Sequence, residues 1–221
     1  MGYRWAVALL TVALHADSLD AVLHRMDEGA KRFHSVTAKL KEVNYTAVLQ
    51  ETSTQTGELW LMRRGKGGVI GKMKFDPPEE TTVAFRGHIV EKYYPKANNV
   101  DRYDLGKNAA QIDEFILLTF GAAGNDLERN YDVKFAGAAA IDGTPCSHLV
   151  LSPKSPDAAK IASTIEMWIP EKRSYAIQEK VNEPSGNYVL NQYSDVKMNP
   201  ELPDSDYEFK PPANAKIINL K

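Results

Sequence analysis

One cysteine, Cys146, stands alone among 221 residues, so no internal disulfide can form and no set of thiolates can hold zinc. Histidine is scarce as well. His15, His24, His34, His88 and His148 are the only five, and none stands at an HxH or HExxH spacing, which removes the usual metal-ligand patterns. Basic excess is missing, with 27 Lys and Arg against 29 Asp and Glu. Without it the field of the chain does not favour nucleic acid. Neither a Gly-x-Ser-x-Gly elbow nor a Gly-x-x-x-x-Gly-Lys-Ser/Thr loop occurs, and Cys146 lies in an apolar strand context that suits a packed, inert thiol. Acid pairs such as Glu79-Glu80, or Asp204 with Asp206, fall in polar turn segments and read as solvated. No catalytic residue, metal or cofactor is expected. A hydrolase would require acids or His148 to converge in a pocket, which spacing alone does not decide.

Long hydrophobic runs are missing except at the start. Arg4 precedes an apolar run from Trp5 to Leu14, and Ala16 offers a small residue at a cleavage point. The run is short against the ~20 residues needed to span a bilayer. Residues 1–16 are therefore expected to be an export signal, with residues 17–221 as a single domain.

What is present is periodicity. Leu19, Val22, Leu23, Met26, Ala30 and Phe33 recur at spacings of three and four, which predicts an amphipathic helix over 18–34 capped by Asp17 or Ser18. After Val36 the period becomes two. One strand is expected to run through Tyr45, Ala47 and Leu49 with a slip near Glu42. Further strands are expected at 57–62, 69–75, 81–85, 88–94, 99–105, 131–135, 146–151, 163–169, 174–181, 187–198 and 207–209, separated by Gly, Pro and Asn turns. One helix interrupts them over 109–120, with Asn108 as cap, Gly121 closing its end in a left-handed conformation, and Ile112, Phe115, Ile116 and Phe120 on one face. The pattern is mainly β (α+β): about eleven antiparallel strands in one large sheet, with helices against its apolar face. Such a face makes a core if filled and a pocket if not.

The segment Gly57-Glu58-Leu59-Trp60-Leu61-Met62-Arg63 is followed by Asp76-Pro77-Pro78, a strand reaching Gly87 and one ending Tyr93-Tyr94-Pro95. Further on come Leu149-Val150-Leu151-Ser152-Pro153-Lys154 and Tyr207-Glu208-Phe209-Lys210-Pro211-Pro212. In this order the chain, from about Leu19 to Ile218, resembles the LolA family of periplasmic outer-membrane lipoprotein carriers. The resemblance implies an incomplete antiparallel β-barrel, or strongly curved sheet, with an N-terminal helix and a helical lid on its concave face. It further implies a periplasmic, monomeric, non-enzymatic protein whose cargo is acylated lipoproteins or another lipid. An inner-membrane releasing complex and an outer-membrane acceptor are its implied partners. Arg63 falls where the family has a lid-latching Arg, although Arg64 stands where the family has Pro, and Gly71 or Lys72 where it has an aromatic residue. Alternation then nominates Leu59, Leu61, Met73, Phe85, Tyr93, Ile112, Phe115, Ile116, Ile165 and Met167 to line the lipid cavity. A lipid-sensing or envelope-regulatory binding domain of the same fold is the alternative function.

Overall fold

In the computed structural model Ser18 begins the first helix by accepting the Ala21 amide on its hydroxyl. The structure describes residues 17–65, 68–106 and 109–220, and only the backbone of 109–112. The expected signal segment 1–16, the cap Asn108 and the Ile112 side chain lie outside it. Helix α1 (Leu19–Arg32) leads into β1 (Ser35–Thr46), β2 (Glu51–Arg64), β3 (Gly68–Phe75), β4 (Thr81–Arg86), β5 (Ile89–Tyr94) and β6 (Asn99–Asp104). Helices α2 (Ala109–Leu117) and α3 (Gly124–Asn130) precede β7 (Tyr131–Ile141), β8 (Thr144–Pro153) and the one-turn helix α4 (Pro156–Ile161). The remaining strands are β9 (Thr164–Pro170), β10 (Gln178–Asn182), β11 (Tyr188–Met198) and β12 (Lys216–Leu220), with a 3-10 turn at Asp204–Tyr207 before the last.

Among the described residues twelve strands form one sheet in the order β12-β6-β5-β4-β3-β2-β1-β11-β10-β9-β8-β7. Two meanders meet at the central β1–β11 pair, and every pairing is antiparallel except β12 with β6. The edge strands do not close on each other, so the sheet is curved and open. Cross-strand partners share a face. The register therefore puts Val36, Leu61, Gly71, Phe85 and Val90 in one row of the concave face, and Ala38, Leu59, Met73 and Val83 in the next.

The concave face is covered by two packed clusters. Val22, Leu23 and Met26 of α1 bury against Leu149, Leu151, Ile165, Met167 and Ile169 of β8 and β9. Phe33, at the end of that helix, joins Val36, Leu59, Leu61, Val69 and Phe85 on the other half. Each such side chain removed from water contributes about 1.5–3 kcal/mol before ordering costs.

Several local expectations fail for identifiable reasons. The alternation through Ala47 and Leu49 is not strand. Gln50 takes φ 54° and bonds back to Ala47, turning the hairpin and leaving Val48 91% exposed. The register irregularity lies between Thr37 and Lys39, where β1 meets β11, not at Glu42. Residues 174–177 lie outside β10, because the Ala176 amide bonds to Thr119 and that of Ile177 to Trp168. Tyr207 is buried in the 3-10 turn, and 207–209 is not a strand; β12 supplies the last strand instead. Helix α2 stops at Leu117, and α3 and α4 were not anticipated.

Candidate functional site: a strapped concave face

After α2 the chain turns through Leu118–Gly121, a strap laid across the seam between the two clusters. Leu117 and Phe120 pack into the cluster of β1–β4, whereas Leu118 packs into that of β8 and β9. Phe120 meets Tyr193 edge to face, with centroids 4.9 Å apart, and leans on Tyr175 at 5.8 Å. Gly121 does not have the left-handed conformation expected of it. Its lack of a side chain serves close approach, since a Cβ there would lie 2.7 Å from the Phe33 ring.

Polar bonds hold the strap at both ends. Arg63, the residue after Met62 on β2, donates from Nη2 to the Gly121 carbonyl at 2.6 Å and from Nη1 to Ala30 of α1 at 3.2 Å. Its guanidinium lies over the Phe33 ring at 5.3 Å, so one side chain ties helix, strap and sheet together. Burial holds its pKa below the ordinary value, opposed by the Asp126 carboxylate. At the other end the Thr119 hydroxyl donates to Glu179 Oε2 at 2.9 Å. Glu179 is 5% exposed, and burial pushes its carboxyl up to about 7, with the Thr119 bond acting the other way. Burial also raises the hydroxyl of its neighbour Tyr193 well above the usual range.

Leu59, Leu61, Phe85, Ile165 and Met167 are buried on the concave face, with Met73, Phe115 and Ile116 partly buried against the same clusters. Tyr93 is on the opposite face: its register partners are Thr82 and Val100, and its ring packs on Phe209. Ile165 and Met167 belong to a different cluster from Leu59 and Phe85, so these residues line one face rather than one cavity. Phe85 also fills the space over Gly71, where a Cβ would lie 2.7 Å from its ring. The aromatic group is thus supplied from the neighbouring strand.

Among the described residues, the cavity under the strap beside Arg63, Leu117, Leu118 and Leu127 is about 70 Å³, well below the ~300–1,000 Å³ usual for ligand pockets. Under the strap the face is filled by its own side chains, and a larger cavity of about 540 Å³ opens at its margin, where Ile177, Tyr193 and Arg173 meet the turn between β7 and β8. A cavity of about 250 Å³ lies on the convex side, between β3–β6 and the segment carrying Tyr207 and Phe209. His148 and Glu166 are 2.9 Å apart on that outer side, with His148 stacked on Trp168. Among the described residues no three His, Cys, Asp or Glu side chains are grouped to hold a metal.

Thr119 and Glu179 were not identified from sequence, although one signal was available. Glu179 interrupts the apolar alternation of Ile177 and Val181.

An uncharacterised conserved protein from Thermus thermophilus shares the fold at TM-score 0.57 and 10% identity, over 92% of this chain and all of that one. MucB gives 0.52 and 15% over 87% of this chain, which spans 64% of MucB. A LolA superfamily protein from Nitrosomonas europaea gives 0.41 and 12%, covering 88% of this chain and 99% of its own. At these identities the likeness is one of fold. No curated protein matches the sequence. Residues 81–221, well over half of the chain, match the family model described as "Predicted periplasmic protein (DUF2092)", and the chain belongs to that family.

Proposed function

We propose that this chain is a periplasmic carrier, not an enzyme, which binds acyl chains on its concave face and moves lipoproteins from the inner toward the outer membrane. The observation that carries the reading is the strap: an apolar sheet face covered by a short segment that polar bonds, rather than strand pairing, hold in place. Each methylene taken from water is worth ~0.8 kcal/mol, so an acyl chain of ten methylenes offers on the order of 8 kcal/mol toward displacing Phe120 and its neighbours. Arg63, bonded to Ala30 and Gly121, is the latch of this scheme. A latch of a few bonds keeps closed and loaded states within a few kcal/mol, which a carrier needs if it is to release its cargo. Leu59, Leu61, Met73, Phe85, Phe115, Ile116, Ile165 and Met167 then form the surface uncovered for the chain, and Tyr93 is no part of it. An inner-membrane donor complex and an outer-membrane acceptor are the partners this role requires.

Native mass spectrometry of the purified protein after incubation with a labelled, acylated lipoprotein tests the reading. A stoichiometric complex, absent with the deacylated form, is expected; apo protein alone under both conditions would sink it. A second reading draws on MucB, the fold neighbour that has also been solved in complex with MucA. In it the same fold senses lipid or docks an envelope protein. Recovery of one stoichiometric protein partner without lipid favours that alternative.

A further inference from the structure

We infer that a row of oxygens on the concave face, running from the buried Glu179 under the strap through the buried Asn191 Oδ1 to the half-buried Glu42, receives the polar end of the cargo and selects acyl ligands whose polar end donates hydrogen bonds over those ending in an anion. The inference rests on the carrier reading.

The register places the row. Glu179 of β10 faces Asn191 of β11, which faces Glu42 of β1, which faces Gln55 of β2. Glu179 also faces Met167, which is fully buried, so the row lies on the concave side. Glu179 Oε1 and Asn191 Oδ1 are both buried without a hydrogen-bond partner among the described residues. Two unsatisfied acceptors in adjacent strands are costly in a native interior. The donors that do reach the row are engaged: Thr119 with Glu179 Oε2, and Gln55 and Asn44 with Glu42 Oε1. Lifting the strap removes Thr119 and frees a third acceptor.

The row is therefore complementary to hydroxyl, amide or ammonium hydrogens. Two carboxyl groups make it hostile to a carboxylate or phosphate. Apolar surface adjoins it, because the neighbouring row holds Tyr193 and Leu40, and the rows beyond hold Ala38 with Leu59 and Val36 with Leu61. An acyl chain extended along these rows brings its polar end to Asn191 and Glu179.

Displacement of a fluorescent acyl probe from the full chain at pH 8 tests this, with 1-monopalmitoylglycerol and palmitate as competitors below their aggregation limits. The two share a chain and differ in whether the polar end donates or is anionic. The glyceride is expected to compete at about tenfold lower concentration or better. Asn191→Leu and, separately, Glu179→Gln should each bring the ratio toward one. Equal competition in the wild-type protein overturns the inference and leaves the carrier reading standing. A preference that survives in both variants removes it from this row. Failure of any acyl compound to bind takes the carrier reading down as well.

Discussion

Arg63 and Arg64 are neighbours in sequence and serve opposite faces. Arg63 reaches to the concave side and ties Ala30 and Gly121. Arg64 reaches to the convex side, where Asp204 at 3.0 Å and Glu208 at 3.5 Å fix the segment carrying Tyr207. Alternation along a strand dictates this division. The first contact was implied by the resemblance, which puts a latching Arg at Arg63; the second was not, because its partners lie some 140 residues away. Arg63→Leu is expected to cost about 2 kcal/mol in urea unfolding through lost charged hydrogen bonds. It should also speed hydrogen exchange of the Gly121 amide, which bonds to Leu117. Unchanged exchange would show that Arg63 does not hold the strap.

Glu179 adds a dependence on pH. Its carboxyl in the folded protein stands at about 7 against an ordinary 4.5, so the folded state binds the extra proton between those values. Its contribution to stability is intact below about pH 4.5 and is lost as pH rises through about 7, up to ~3 kcal/mol in all. Urea midpoints measured from pH 4.5 to 8 in wild type and Glu179→Gln check this. The wild-type curve should fall relative to the variant, and parallel curves would contradict it.

At the level of elements, helix α1 and most strands were written in periodicity, since one apolar face suffices to specify each of them. The errors fall where tertiary contacts overrule pattern. Residues 174–177 alternate as a strand would, yet Ala176 bonds to the strap. Leu118–Gly121 follows helical spacing, yet the chain turns there, with the Phe120 and Gly121 amides both bonded to the Leu117 carbonyl and the Thr119 carbonyl taken by Ala176. The candidate site was half legible for the same reason. Its sheet residues follow alternation, but their grouping depends on where the strap crosses. Phe120→Ala is expected to destabilise by about 3 kcal/mol or more and to open a cavity between Tyr175 and Tyr193. Increased binding of an apolar fluorescent dye to the folded variant reports that opening, and no increase would mean the strap collapses to fill the gap.

For the whole molecule, the open sheet leaves two edges. Strand β12 covers β6 from Asn99 to Tyr103 in parallel register, a pairing that no local pattern announces because its partners lie more than a hundred residues apart. Deleting residues 213–221 should bare β6 and promote edge-to-edge association, visible as larger species in size-exclusion chromatography with light scattering. A monomer of unchanged stability would show the edge to be protected otherwise.

The central β1–β11 pair has one more consequence, for the order in which the molecule comes together. The two meanders are built from neighbours in sequence and can each form early, but the seam joining them waits for residues 188–198 to find a strand about 150 positions upstream. A chain interrupted before residue 188 therefore carries two separate blocks of sheet, β1–β6 and β7–β10, with β1 and β10 left bare where β11 would join them. The join in the middle of the sheet thus comes late, and the concave face exists as one surface only after it is made.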